Sequence, residues 1–232
     1  MRNRTGSFLP ALCLLLVLGG MRLEAATVPF TEDFTADAAN WFDSAGLNVM
    51  TWHANGGPDG GGYASTSFNF AGSGAMDTPA IYRGQSNFGS SGGAFVGDWL
   101  TDGVTEFRTF VRHDAGVPLS FFARFANANN FPAVVALGGA PVPSGTWTEL
   151  IIPIQADAGF IPEGPSTFDG VFSNLGNVQL GVLAEPLAGT DQPVMFDLDK
   201  VSIVPEPVSL LLLTVGSLTA GGMSRSRRRR RS

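Results

Sequence analysis

The chain has 232 residues, enough for one large domain or two small ones, and a formal charge of −6. Its basic residues are concentrated at the two ends. Between residues 27 and 204, five basic residues stand against eighteen acidic ones, a formal charge of −13. An acidic body of this kind argues against nucleic acid and anionic lipid as partners.

The first 26 residues predict an N-terminal signal helix. Arg2 and Arg4 precede an apolar run over residues 9–20, which is within the length of about 7–15 residues that signal peptides use and short for a membrane span. The small residues Ala25 and Ala26 follow, so we expect cleavage after one of them; a non-cleaved anchor is the alternative. The only cysteine of the chain lies inside the apolar run and would leave with it, which excludes disulfides and thiolate chemistry from the mature body.

Residues 27–204 predict short β-strands, because apolar residues recur with a period of two and no long stretch has a helical period. The clearest case is residues 118–127, where Phe121 and Phe125 share one face and Arg124 lies on the other. Glycine-rich or proline-containing turns separate most of the runs. The predicted strands are residues 48–54, 63–70, 80–83, 94–100, 105–112, 118–127, 133–137, 147–154, 177–185 and 194–204. This pattern favours an all-β fold, an antiparallel β-sandwich or jelly roll, with residues 155–176 as a surface loop.

The end of the chain has three parts: Pro205-Glu206-Pro207, an apolar stretch over residues 208–223, and a cluster of arginines. At about 1.5 Å per residue the apolar stretch reaches about 24 Å, which is short of a hydrocarbon core of about 30 Å. We therefore expect a short transmembrane helix with the arginines on the cytoplasmic side and the body outside. A nucleic-acid tail is the alternative for an arginine run. The arginines are Arg225, Arg227, Arg228, Arg229, Arg230 and Arg231.

This three-part tail resembles the PEP-CTERM sorting signal over residues 204–232. The resemblance implies a Gram-negative-type bacterium that makes extracellular polysaccharide. It also implies export by the secretion machinery, transient anchoring in the inner membrane, and processing of the tail by an integral-membrane exosortase. The mature protein would then reach the cell surface or the extracellular matrix. Such a tail specifies a route and not an activity.

The body resembles laminin-B-like and galactose-binding-like carbohydrate-binding sandwiches in several short segments. These folds commonly start with an acidic strand and end with a strand in which Asp precedes apolar residues, and the resemblance implies the fold. The segments are Glu32-Asp33-Phe34, Trp52, residues 56–63, residues 147–150 and residues 196–201.

Two kinds of binding site follow from the residue types. Aromatic rings near glycine-rich loops can stack on sugar rings, although they also fill sandwich cores; the candidates are Trp52, Tyr63, Tyr82 and Trp99. Calcium takes carboxylate and backbone oxygens, and Glu32, Asp33 and Asp199 could supply them with the loop over residues 56–62. Solvated edge carboxylates are the alternative, and no other cofactor is predicted.

Catalytic signals are weak. Residues 89–93 fit Gly-x-Ser-x-Gly but lack the strand and helix that this motif needs, and His53 and His113 have no second ligand at metal spacing. A glycosidase needs paired carboxylates, for which Glu32, Asp33, Glu149, Asp197 and Asp199 are available. We expect a noncatalytic surface or matrix protein that binds carbohydrate, with extracellular polysaccharide as its partner. A secreted glycoside hydrolase is the alternative.

Overall fold

The computed structural model describes residues 25–205, and in this range β-strands dominate. A single α-helix, α1 (Phe168–Phe172), and three short 3₁₀ helices, Ser86–Phe88, Ser90–Gly93 and Glu185–Leu187, lie among them. The strands are β1 (Phe30–Glu32), β2 (Thr51–His53), β3 (Tyr63–Asn69), β4 (Ala80–Gln85), β5 (Val104–His113), β6 (Phe121–Ala126), β7 (Ala133–Leu137), β8 (Thr148–Pro153), β9 (Ile161–Pro162), β10 (Asn177–Val182) and β11 (Pro193–Pro205).

The strands form two antiparallel sheets. The six-stranded sheet has the order β2-β3-β11-β5-β8, with β1 also paired to β11. The five-stranded sheet has the order β4-β10-β6-β7-β9. The predicted antiparallel β-sandwich is therefore confirmed. The signal helix and the transmembrane helix that the sequence predicts lie almost entirely outside the described residues.

Aromatic side chains fill the space between the sheets. Trp99, Phe107, Phe125 and Phe172 are fully buried. The ring centres of Trp99 and Phe125 are 5.7 Å apart, and those of Phe107 and Phe125 are 5.4 Å apart. Burial of large apolar side chains is the main stabilising term in such a core, at about 25 cal/mol per Å² of apolar surface. The core thus holds the two sheets together and leaves their outer faces for function.

The prediction of a strand over residues 94–100 is wrong. Apart from a single bridge between Gly97 and Leu175, this segment is irregular. Phe95 and Trp99 both lie in the core, and the Trp99 indole N–H donates to the Phe95 carbonyl oxygen at 2.8 Å. The backbone turns at Gly97, whose φ of 140° is one that residues with a side chain rarely adopt, so these residues reach the core from a loop and not from a strand.

The loop predicted over residues 155–176 contains two regular elements, β9 and α1. Thr167 caps α1, because its hydroxyl accepts a hydrogen bond from the Gly170 N–H at 3.1 Å. Phe172 at the end of α1 is fully buried. The segment therefore closes one end of the core and also extends the five-stranded sheet by a short edge strand.

Within residues 25–205, no helix has both the length and the apolar character needed to cross a membrane.

Candidate functional site

A groove crosses the outer face of the five-stranded sheet. The strand register places one residue from each strand in a single row. Neighbouring strands are about 4.8 Å apart, so five strands give a row about 19 Å long. The groove has a volume of about 440 Å³. The row is Arg83, Gln179, Arg124, Val135 and Ile161.

Arg124 is at the centre of this row, and its guanidinium group is fixed by three neighbouring residues. Its Nε and Nη2 atoms donate to the two carboxylate oxygens of Glu163 at 2.7 and 2.8 Å. Nη1 donates to the side-chain oxygen of Asn130 at 2.7 Å and to that of Gln179 at 3.3 Å. The ion pair with Arg124 lowers the pKa of Glu163, so this carboxyl group is ionised at neutral pH. These planar polar groups are therefore held in a fixed orientation.

The end of the groove at β7 and β9 is apolar. Leu137 and Ile161, which both line the groove, have 58% and 54% of their surface exposed. The Phe122 ring lies over the backbone of Gly181, where a Cβ atom would overlap it, so only glycine fits. The groove thus combines a fixed polar centre with exposed aliphatic surface. This pairing suits a ligand that carries both hydroxyl groups and C–H faces.

The predicted aromatic residues lie elsewhere. Tyr82 and Trp99 are fully buried, and the Tyr82 hydroxyl donates to the Asp197 carbonyl oxygen at 2.9 Å. Neither ring has a free face for a sugar, so we remove both from the set of stacking candidates. Trp52 is 38% exposed on the edge strand β2, with its indole N–H bonded to the Phe34 carbonyl oxygen at 2.6 Å.

Tyr63 belongs to a stack on the outer face of the six-stranded sheet. His53 lies parallel to its ring at 4.5 Å, and the Arg112 guanidinium lies 5.2 Å from its centre. Arg112 also lies over the Trp147 ring at 4.6 Å and pairs with Asp197 at 2.7 Å. The groups that lie on the Tyr63 ring, His53 and Arg112, therefore come from the protein itself. The stack also holds the loop that contains Gly56, because the Trp147 indole N–H donates to the Gly56 carbonyl oxygen.

A smaller groove of about 370 Å³ lies beside this stack, and His53 and His113 are among the residues that line it. The His53 Nε2 atom is 2.8 Å from the Ser65 hydroxyl. His113 is buried, and its Nε2 atom is 3.0 Å from the Val142 carbonyl oxygen. Burial lowers the pKa of His113, which favours its neutral form.

Lys200 lies among the carboxylates that the sequence predicts to bind calcium. The Lys200 ammonium lies 3.5 Å from an Asp33 oxygen and 2.7 Å from an Asp59 oxygen. One oxygen of the buried Asp199 accepts the backbone N–H of Lys200 at 2.7 Å, and the Glu32 carboxylate accepts the backbone N–H of Phe34 at 3.1 Å. In the described part of the chain, no group of three or more Asp, Glu, His or Cys side chains is arranged to hold a metal ion. Calcium binding here remains a prediction.

The serines and the glutamate that the sequence offers as catalytic candidates form hydrogen bonds or ion pairs within the protein. The Ser90 hydroxyl donates to the Asn40 carbonyl oxygen at 2.6 Å, and the Ser91 hydroxyl accepts the Trp41 indole N–H at 2.9 Å. The segment forms two 3₁₀ turns and not a strand–turn–helix motif. Glu149 lies 3.7 Å from Arg108.

Comparison with solved structures gives likenesses of fold at low identity. An exo-β-agarase has a TM-score of 0.50 at 11% identity over 76% of this chain and 25% of its own. The CBM22-1–GH10 modules of a Clostridium thermocellum endo-1,4-β-D-xylanase, complexed with xylohexaose, give 0.45 at 17% identity over 77% and 28%. The L4b domain of human laminin α-2 gives 0.45 at 11% identity over 78% and 99%.

The chain spans about a quarter of the length of the agarase and xylanase chains that it matches. No family model and no curated protein matches it.

Asp199 should make the stability of the protein depend on pH. Burial raises the pKa of Asp199 to about 7, against an ordinary value of about 4. The folded state therefore binds a proton that the unfolded state releases between these two values, so this group stabilises the fold most at low pH. In chelator, Asp199→Asn should raise the melting temperature relative to the wild type increasingly as pH goes from 5 to 8.

The matched control for the loss of a carboxylate is Asp157→Asn, the same substitution in an exposed loop. A constant difference for Asp199→Asn would contradict the raised pKa. The same scan at pH 8 with added calcium tests the predicted metal site. Calcium should raise the melting temperature of the wild type and not that of Asp199→Asn, and no shift in the wild type would reject the calcium prediction.

Proposed function

We propose that this protein is a noncatalytic carbohydrate-binding protein of the cell exterior, and that the groove on the five-stranded sheet is its binding site. The fixed Arg124 group beside exposed aliphatic residues is the observation that carries the proposal. All five N–H groups of Arg124 donate within the protein, to Glu163, Asn130 and Gln179. The hydroxyl groups of a sugar would therefore bind the carboxylate and amide groups that Arg124 holds in place, and its C–H faces would bind the apolar surface. The fold is also that of part of an exo-β-agarase, which makes polysaccharides a sensible first choice of ligand.

A hydrolytic function has less support at this site. Glycoside hydrolysis generally needs two carboxyl groups, one of which is a general acid with a raised pKa. Among the described residues that line the groove, the one carboxylate is Glu163. The ion pair with Arg124 lowers its pKa, which is the wrong direction for a general acid. Binding without cleavage is therefore the function that this groove favours.

The route to the exterior is proposed from the sequence. The first 26 residues would direct export, and the tail that begins at Pro205 would anchor the chain in the membrane until an exosortase processes it. An extracellular polysaccharide is the partner that fits both the route and the groove. Trp52, as an exposed ring on the opposite sheet, would be a secondary contact.

The binding site can be tested with a matched pair of isoleucines. Ile161 on the five-stranded sheet and Ile151 on the outer face of the six-stranded sheet are 54% and 44% exposed. Ile161→Ala removes three carbons, of whose surface about half is exposed to a ligand. At about 0.8 kcal/mol per buried CH₂ group this is about 1.2 kcal/mol, so the variant should weaken polysaccharide binding about fivefold to tenfold. Ile151→Ala should bind like the wild type. Affinity electrophoresis of the full chain in a zwitterionic detergent, over a panel of soluble polysaccharides, measures both.

Arg124→Lys extends this test, because lysine keeps the charge and loses the planar fork. The Arg124→Lys variant should bind polysaccharide less tightly than the Ile161→Ala variant does. Equal loss in the two isoleucine variants, or no binding of any polysaccharide by the wild type, would overturn the proposed function. Release of new reducing ends by the wild type would favour the hydrolase instead.

The proposed route can be tested in the producing organism. Mass spectrometry of the mature protein should find a new N-terminus after Ala25 or Ala26 and the loss of the arginine cluster. A protein that keeps its first residues and its arginines, and is found inside the cell, would contradict the route.

A further inference from the structure

Five basic residues lie within residues 25–205, and four of them pair with carboxylates. Arg108 pairs with Glu106, Arg112 with Asp197, Arg124 with Glu163, and Lys200 with Asp59. These pairs are expected in a body with eighteen acidic residues. The fifth basic residue is Arg83, and none of the ion pairs in the described part of the chain includes it.

Arg83 lies at one end of the groove. On β4 it is in register with Gln179, which is in turn in register with Arg124. Its Nε atom donates to the Ser44 carbonyl oxygen at 2.7 Å, which fixes the direction of the side chain. Burial and, second, the charge of Arg124 lower the pKa of Arg83. The protein thus holds a half-buried guanidinium group near a second one.

One carboxylate outside the groove also acts on Arg83. Asp43 attracts the Arg83 charge but makes no ion pair with it, and its two oxygens accept the Leu47 N–H at 3.0 Å and the Asn48 side-chain amide at 2.8 Å. The described residues that line the groove itself include two guanidinium groups and one carboxylate, Glu163. The groove carries one excess positive charge on a body whose formal charge is −13.

We propose that the groove binds an acidic polysaccharide, with an anionic group of the sugar chain on Arg83 and the chain running along the row towards Ile161. This inference rests on the proposed function and names its ligand class. A guanidinium fork whose Nε is already oriented can pair with a carboxylate or a sulfate ester. The apolar end of the row then contacts neutral sugar faces, so that charge and stacking act at opposite ends.

The negative charge of the body does not prevent this contact. At physiological salt, charges on the surface are screened beyond about 8 Å, so the local excess charge at Arg83 determines the interaction with an anion in the groove. The long-range repulsion reduces the rate of association more than the strength of the final contact.

The test compares acidic and neutral forms of the same polysaccharide on the full chain. The probes are polygalacturonate with its methyl ester, and a sulfated galactan with neutral agarose. The wild type should bind the acidic member of at least one pair about tenfold or more tightly than the neutral member, as a charge-assisted hydrogen bond of about 1.5–3 kcal/mol requires. The pair that shows the difference identifies the anion as carboxylate or sulfate.

Arg83→Gln should reduce binding of that acidic form more than binding of the neutral form, so that the ratio between the two falls to about one. Arg108→Gln, on the six-stranded sheet, is the matched control and should preserve the wild-type preference. Equal binding of acidic and neutral forms by the wild type would overturn the acidic ligand and leave the proposed function intact. A preference that Arg83→Gln retains would overturn the role of Arg83. Binding of none of the four probes would overturn both.

Discussion

The guanidinium group of Arg124 is fixed on the outer face of the five-stranded sheet, and the candidate site depends on this constraint. Glu163 holds two of its nitrogens, and Asn130 and Gln179 hold the third. The carboxylate and amide groups held by Arg124 have therefore lost their conformational entropy during folding and do not lose it on meeting a ligand. The pairing of β6 with β10 and β7 then places the remaining residues of the row relative to this fixed group.

The arginines on the outer faces of the two sheets have different partners. On the six-stranded sheet, Arg108 and Arg112 pair with carboxylates, and Arg112 also lies over the rings of Tyr63 and Trp147. These contacts hold the loop that contains Gly56 against that face. On the five-stranded sheet, Arg83 has no such carboxylate among the described residues and lies in the same groove as two exposed aliphatic side chains. The two outer faces therefore differ in how their arginines are paired.

Much of the fold could be predicted from the sequence, because alternation along a strand is a local property. The pattern around Phe121 and Phe125 predicted a strand with Arg124 on its outer face, and both features are present. The segment that contains Trp99 was misread, since its apolar residues fit a strand but the backbone turns at Gly97. Local patterns cannot distinguish these cases when tertiary packing decides them.

The site was harder to predict, because its members come from distant parts of the chain. Glu163 is 39 residues from Arg124, in a segment that the sequence predicts as a loop. Tyr63 has the residue type of a sugar platform, but its ring faces are taken by His53 and Arg112 from other strands. Conversely, the lack of an ion pair at Arg83 within residues 25–205 becomes visible only when every other basic residue there has been matched with its carboxylate. Pairing across strands thus carries information that residue type does not.

The most direct measurement of the central claim is the response of the arginine side chains to a bound polysaccharide. The Nε–Hε groups of Arg83, Arg108, Arg112 and Arg124 can be observed by NMR in the ¹⁵N-labelled full chain. Addition of a polysaccharide that the protein binds should shift the signals of Arg83 and Arg124 and leave those of Arg108 and Arg112 in place. Shifts confined to Arg108 and Arg112 would place the ligand on the six-stranded sheet and contradict the account.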